Sequence, residues 1–494
     1  MREETKKNLK SYLDSLYPIL YVRHSDFADV DKVLLEAVAP NVRFCEFNNA
    51  LGAINFSDKH SMQRCDLVEF LSSVMDDNDD DNEFFIVLKD IHKNIDDPKV
   101  IALLRRIAEL NERDDYHVKI IIVDSVENIP QELKSFITLI DVPLPDDEEI
   151  MACLNDFADE IGEKIDKTVM DELAFLLKGL SAFQIKQVLS LAYQNGGGLD
   201  TSDIKFILGE KEQIIKKSGI LEMVNFKETL SDIGGLENLK NWLKRKEKIF
   251  AQLDKAIKYG VDIPRGILIL GMPGCGKSLA AKATAALFKV PLIRLDVGRL
   301  MGKYVGESES NMRNALKLAE TVSPCVLWID ELEKAFAGIG GNGGEVTTRL
   351  FGNFLTWMQE KESTVFIVAT ANDISKLPPE FLRKGRFDEL FFVDLPNEKE
   401  RRKILEIHLQ KRGKQSSGID LGRLASETDG FNGADLEGLV KDAVETAFID
   451  NTVITTGTLI DTLHNAKSIT DIQGDKIKKL RAYLKAYSIK PASE

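Results

Sequence analysis

The sequence predicts an α/β protein of two tandem modules, each with a helical lid, in which only the second module keeps a glycine-rich turn and acidic strand end. Three observations predict this. A glycine-rich turn joins an apolar strand to a helix, two further buried strands end in polar residues, and an earlier stretch repeats the same elements without those residues.

The turn is Gly271-Met272-Pro273-Gly274-Cys275-Gly276-Lys277-Ser278. It follows the apolar run Gly266-Ile267-Leu268-Ile269-Leu270 and precedes the helical pattern Leu279-Ala280-Ala281-Lys282-Ala283. Strand, glycine turn and helix in this order make a phosphate-binding loop. Its backbone N–H groups turn inward, and the helix start adds partial positive charge at the same point. Pro273, Gly274, Cys275, Gly276, Lys277, Ser278 and Leu279 are therefore expected to hold ATP, with the Lys277 ammonium on the outer phosphates and the Ser278 hydroxyl on Mg²⁺.

The run Cys325-Val326-Leu327-Trp328-Ile329 reads as a parallel strand buried on both faces, and it ends in Asp330-Glu331. Ligand groups sit at the carboxyl edge of such sheets. Asp330 is expected at the metal ion and Glu331 at the attacking water. A third such strand, Val365-Phe366-Ile367-Val368-Ala369-Thr370, leads into Ala371-Asn372, whose amide suits the water or the terminal phosphate. Beyond it lie Arg383 and Arg386 beside Gly385, two rigid guanidinium forks suited to phosphoryl oxygens. Taken alone, that pair also suits a surface salt-bridge cluster.

These motifs together resemble a classical-clade AAA ATPase over 226–440. The opening Phe226-Lys227-Glu228-Thr229-Leu230-Ser231-Asp232-Ile233-Gly234-Gly235-Leu236 is similar to the family's first segment, which implies that Ile233 and Gly234 lie against adenine. The same resemblance implies a lid closing through His408, Gly433 and Ala434, a sensor role for Asn372, and fingers at Arg383 and Arg386 that act on a neighbouring subunit. It implies a client-gripping pore loop at Lys303, Tyr304 and Val305, a second pore loop at Gly338 to Gly344, and a homo-hexameric ring. Arg294 to Leu300, Val305 to Ser310 and Pro324 to Glu331 narrow the likeness to the conserved-open-reading-frame AAA proteins of algal plastids and cyanobacteria, with their bacterial relatives. Lys384 between the arginines and Glu333, where an aspartate is commoner, depart from the common pattern, and Lys303-Tyr304 is nearer the general pattern than the plastid one.

The first module is expected to be a degenerate copy. Asp141 to Ile150 parallels Val393 to Glu400, Gly179 to Ile185 parallels Gly430 to Leu436, and Ile129 to Leu133 parallels Leu377 to Phe381. The strand Phe84 to Leu88 parallels the one before Asp330, which places Lys89 at the metal-ligand position, where its charge would repel Mg²⁺. After the strand Pro18 to Val22 come Arg23-His24-Ser25-Asp26-Phe27, with no glycine and no loop lysine. The domains so defined are 1–212 for the copy, 213–397 for the catalytic α/β domain and 398–494 for the lid and C-terminal helix.

Composition bounds the rest. The 494 residues hold about three domains, and 44% hydrophobic with 29% charged residues is globular. A formal charge of -15 disfavours nucleic acid as a partner. Five cysteines without metal-ligand spacing suggest free thiols in a reducing cytoplasm, and no apolar run is long enough to span a membrane. The acidic run Asp76 to Glu83 reads as a solvated loop, because it lacks the glycine and distal glutamate of a calcium loop. The helix expected from Lys476 to Tyr487 reads as a lid helix with a solvated basic face. Two functions stay open: Mg-ATP hydrolysis coupled to remodelling a protein client, and a slow ATP-dependent switch or scaffold without threading.

Overall fold

A computed structural model describes residues 2–15, 17–24, 26–38, 43–76, 84–112, 118–162, 165–196, 199, 203–300, 307–335, 344–383, 385–414, 418–464, 468–487 and 489–494. The chain divides into two compact units, Met1–Asp203 and Ile204–Glu494. The helix Ile204–Ser218 runs through the expected 212/213 border and belongs to the second unit.

The first unit holds β1 (Ile19–Arg23), β2 (Arg43–Asn48), β3 (Gly52–Asn55), β4 (Ser61–Gln63), β5 (Phe84–Lys89), β6 (Val118–Asp124) and β7 (Ile137–Ile140) in one sheet of order β4-β3-β2-β5-β6-β1-β7. The second holds β8 (Leu221–Val224), β9 (Gly266–Gly271), β10 (Leu292–Leu295), β11 (Cys325–Ile329), β12 (Val365–Ala371), β13 (Glu389–Val393) and β14 (Lys490–Pro491), ordered β14-β13-β9-β12-β11-β10-β8. Without the added edge strands, the parallel core reads β2-β5-β6-β1-β7 in one unit and β10-β11-β12-β9-β13 in the other. In chain order these are the same fold.

The central strands are apolar without alternation because helices cover both faces. Ile267, Leu268 and Ile269 of β9 are fully buried, each contributing roughly 1.5–3 kcal/mol relative to exposure. In β1, Leu20 and Val22 face a core shared with Leu9, Val30 and Leu34, whereas Ile19 and Tyr21 face the core holding Leu71 and Leu104.

Backbone detail repeats as well. Asp90 and Glu331, each just past its strand, have φ of 54° and 52°. Gly179 and Gly430 have φ of 84° and 81°. Pro130 and Pro378 each start a 3₁₀ turn, Gln131–Leu133 and Pro379–Leu382. The helices Asp147–Ile161 and Glu398–Lys411 both open on a capping box, Asp146 with Glu149 and Asn397 with Glu400.

The lid of the second unit comprises Glu398–Lys411, Leu421–Glu427, Gly433–Ile449 and Thr456–His464 around Leu405, Leu424, Leu436 and Leu459. The C-terminal helix Ile469–Tyr487 does not join that core. It inserts Ile477 and Leu480 into the α/β core instead, with Arg481 forked onto Asp394 at 2.8 and 3.0 Å. The chain then adds β14 to the sheet edge, and the Ala492 N–H donates to Phe392 O. Among the described residues no helix is long and apolar enough to cross a membrane.

Candidate active site

At the carboxyl edge of the second sheet, five residues, Met272 to Gly276, join β9 to the helix Lys277–Phe288. The chain turns there because Gly274 adopts φ of 74°, and its hydrogen faces the lid: a Cβ would lie 2.6 Å from Asn432 Nδ2. Asn432 caps the lid helix Gly433–Ile449 and donates to Pro273 O at 3.0 Å. Loop and lid therefore touch directly.

Lys277 is buried, and its ammonium donates to Gly271 O at 2.9 Å and Met272 O at 2.6 Å. Burial pushes its pKa down to about 8. Burial also pushes the Cys275 thiol up to about 12, which keeps it protonated near neutral pH and a poor nucleophile.

Beyond β11, Thr370 links the two acids. Its hydroxyl donates to Asp330 Oδ1 at 2.5 Å and accepts from the Glu331 N–H at 3.2 Å. Asn372 Nδ2 donates to Glu331 Oε1 at 3.3 Å. Glu333 is buried, and its Oε1 accepts the Asn372 N–H at 3.0 Å, so the departure from aspartate orients the amide-bearing residue. Lys334 pairs with Glu331 Oε2 at 2.5 Å, but it is 69% exposed. Water screens so exposed a pair, and it does not hold Glu331 away from a water.

Lys277, Asp330, Glu331 and Asn372 line one cleft of about 520 Å³ together with Ile233, Gly234, Pro273, Gly274, Cys275, Gly276, Ser278, Leu279, His408, Gly433 and Ala434. Close approach explains Gly234, whose Cβ would lie 2.5 Å from Ile404 Cγ1. His408 Nδ1 is buried with no hydrogen-bond partner among the described residues, and burial lowers its pKa.

Mg-ATP fits this donor set. The loop amides and Lys277 offer positive charge to phosphate, Ser278 and Asp330 are the hard oxygens Mg²⁺ takes, and His408 presents an unused ring nitrogen.

Arg383 and Arg386 are not among the cleft-lining residues. Arg383 is exposed, with no ion pair among the described residues, and Arg386 donates to Leu355 O at 2.8 Å. Lys303, Tyr304 and Val305 lie outside the described residues, as do 338–343 and Lys384.

Sequence reasoning missed several cleft residues. Glu400 both closes its own capping box and accepts the Leu236 N–H at 3.0 Å, joining the Ile233-Gly234 segment to the lid. Ile404 stands one turn before His408 and Lys411 one turn after, a helical spacing readable in the sequence. Thr370, which stands behind the cleft and holds its two acids, was legible as the one hydroxyl in the apolar β12.

Residues 267–395 match the ATPase family associated with various cellular activities (AAA), and 418–452 match the AAA+ lid domain. The uncharacterized AAA domain-containing protein ycf46 of Guillardia theta is 35% identical, covering 99% of this chain and 96% of its own. The chain belongs to the AAA ATPase family. Residues 5–142 and 148–218 match the N-terminal and second domains of SpoVK-like AAA ATPases. The ycf46 proteins of Trieres chinensis and Pyropia yezoensis are each 34% identical, with 97% of both chains covered. The AAA module in this chain is thus the second unit, and the sheet of the first repeats its strand order.

Proposed function

We propose that this AAA ATPase hydrolyses Mg-ATP in a homo-hexameric ring and uses the cycle to remodel a protein client. Ser278 and Asp330 hold the metal ion, Lys277 and the loop amides hold phosphate, and Asn372 orients Glu331 as it polarises the attacking water.

The observation that carries the ring is the place of the arginines. The cleft lined by Lys277 and Glu331 contains neither Arg383 nor Arg386. A donor that neutralises transition-state charge must then come from a neighbouring copy, and Arg383 is exposed to do so. Tyr304, flanked by Gly302 and Gly306, is the proposed client contact.

The test has two parts. The Glu331→Gln protein in saturating Mg-ATP is weighed in solution, where six copies are expected and a monomer overturns the ring. Client captured on that trapped form is then added to wild-type and Tyr304→Ala protein. Stimulated turnover that disappears in Tyr304→Ala supports threading. Client binding without stimulation in either protein replaces remodelling with an ATP-dependent switch.

A further inference from the structure

The Glu331 carboxylate has two contacts of unequal worth. Lys334 meets Oε2 from an exposed position, where water screens the pair. Asn372 Nδ2 donates to Oε1 at 3.3 Å. That bond is already at the long end of hydrogen-bond geometry, so a small shift of Asn372 breaks it. The aim of Glu331 therefore depends on where Asn372 stands.

Asn372 is the first residue past β12, where the ladder of the sheet has ended. Its N–H finds an acceptor in Glu333 Oε1 at 3.0 Å. Glu333 lies in the short helix Leu332–Ala335, which follows Glu331 directly. One segment thus grips Asn372 twice: the Glu333 carboxylate takes its main chain, and the Glu331 carboxylate takes its side chain.

The first grip carries a cost. Glu333 is 6% exposed, and its Oε2 is buried with no hydrogen-bond partner among the described residues. A carboxylate taken out of water with one oxygen unpaired destabilises the fold. In return, a carboxylate accepts more strongly than a neutral carbonyl and holds the N–H more tightly. Aspartate, the commoner residue here, would fall one methylene short of that N–H. Glu333 is also absent from the lining of the cleft, so it acts on the nucleotide only through other residues.

On the ATPase reading proposed above, we infer that Glu333 is a positioning residue: it fixes the Asn372 main chain so that the Asn372 amide keeps Glu331 aimed at the attacking water. A reacting group misplaced by about 1 Å can lose about 10²-fold in rate. Phosphate is held by Lys277 and the loop amides, so nucleotide affinity does not pass through this chain of contacts.

Turnover in saturating Mg-ATP and calorimetric affinity for Mg-ADP are measured on the full chain and on three variants. Glu333→Leu removes the acceptor, Glu333→Asp draws it back, and Glu333→Gln keeps an acceptor at the same reach. Glu333→Leu is expected to lose about 10–100-fold in turnover and Glu333→Asp about tenfold, both at wild-type affinity. Glu333→Gln is expected to recover most of the loss, a rescue that only the hydrogen bond explains. The role is overturned if Glu333→Gln falls as low as Glu333→Leu, if Glu333→Asp turns over at the wild-type rate, or if affinity falls along with turnover. Should Glu333→Leu fail to fold, the Asp and Gln proteins decide alone. Wild-type protein without turnover ends the ATPase reading and this role with it, whereas wild-type turnover matched by Glu333→Asp ends this role only.

Discussion

Two sheets of the same strand order end in opposite chemistry. Past β11 stand Asp330 and Glu331, tied by Thr370 and Asn372. At the end of β5 the same register brings Lys89 and then Asp90, with Asp90 in the left-handed conformation of Glu331. Lys89 does not face solvent as a free repelling charge. Its ammonium is buried between Asp31 at 2.7 Å and Glu46 at 2.9 Å, and Lys59 pairs with the same two acids. At the end of β6, Asp124 is fully buried and accepts from the His92 and Val126 N–H groups. The strand end that lines a cleft in one unit carries charges buried in the interior of the other. A fold can lose a catalytic edge without losing the edge's geometry, provided buried charges find partners.

The comparison can be broken first at the arginines. Arg386→Ala and Lys277→Ala proteins, each inactive alone, are expected to regain turnover when mixed, because some sites then pair an intact loop with an intact finger. The loss in Arg386→Ala alone is expected at ~10³–10⁵. Co-assembly without any recovered activity removes action across the interface.

Next come the second unit's own residues. Glu331→Gln is expected to keep Mg-ATP affinity and lose ~10²–10⁴ in turnover. Lys277→Ala is expected to leave the whole chain with no calorimetric Mg-ATP binding. A residual site in that variant would show that the first unit binds nucleotide after all and would end the asymmetry described above.

The charge cluster of the first unit gives a smaller effect. Lys89→Met strips one partner from Asp31 and Glu46, and breaking such a buried pair costs about 3 kcal/mol. Denaturant melting is expected to show it, with ATP turnover by the second unit unchanged. A melt identical to wild type would mean that Lys59 alone satisfies both acids.

The smallest effect is a pH dependence in the second unit. Lys211 is fully buried on the helix Ile204–Ser218 and donates to Val322 O at 2.9 Å. Burial pushes its pKa down to about 7 from 10.5. Between those values the unfolded chain binds the extra proton, so stability rises with pH across that window and the protonation penalty is fully present below it. Lys211→Met is expected to flatten the rise, so that its disadvantage against wild type grows from pH 7 toward pH 10 by on the order of 1 kcal/mol or more. Parallel pH profiles for the two proteins would refute the buried, neutral lysine.

The strand ends and the phosphate loop were legible because each rests on a local rule. An unbroken apolar run marks a strand buried on both faces, and the residues after it stand at the carboxyl edge. The duplication was legible from Pro, Gly and capping residues, which act through their own backbone. Contacts made across the chain were not legible. Nothing near Lys89 in sequence announces Asp31 or Glu46, which come from a helix and a neighbouring strand. The same holds for the C-terminal helix, whose apolar face fits lid and α/β core equally well as a pattern, yet buries Ile477 and Leu480 in the latter.

The residues by themselves determined the AAA module, its glycine-rich loop, its acidic strand end and the absence of both from the first copy. These depend on backbone conformation and on chemical groups a few positions apart. Tertiary structure alone decided that Glu333 holds Asn372, that Thr370 joins Asp330 to Glu331, and that Arg383 and Arg386 stand outside the cleft. Each of these depends on which strand lies beside which and how closely the lid approaches, and sheet order and helix packing set both.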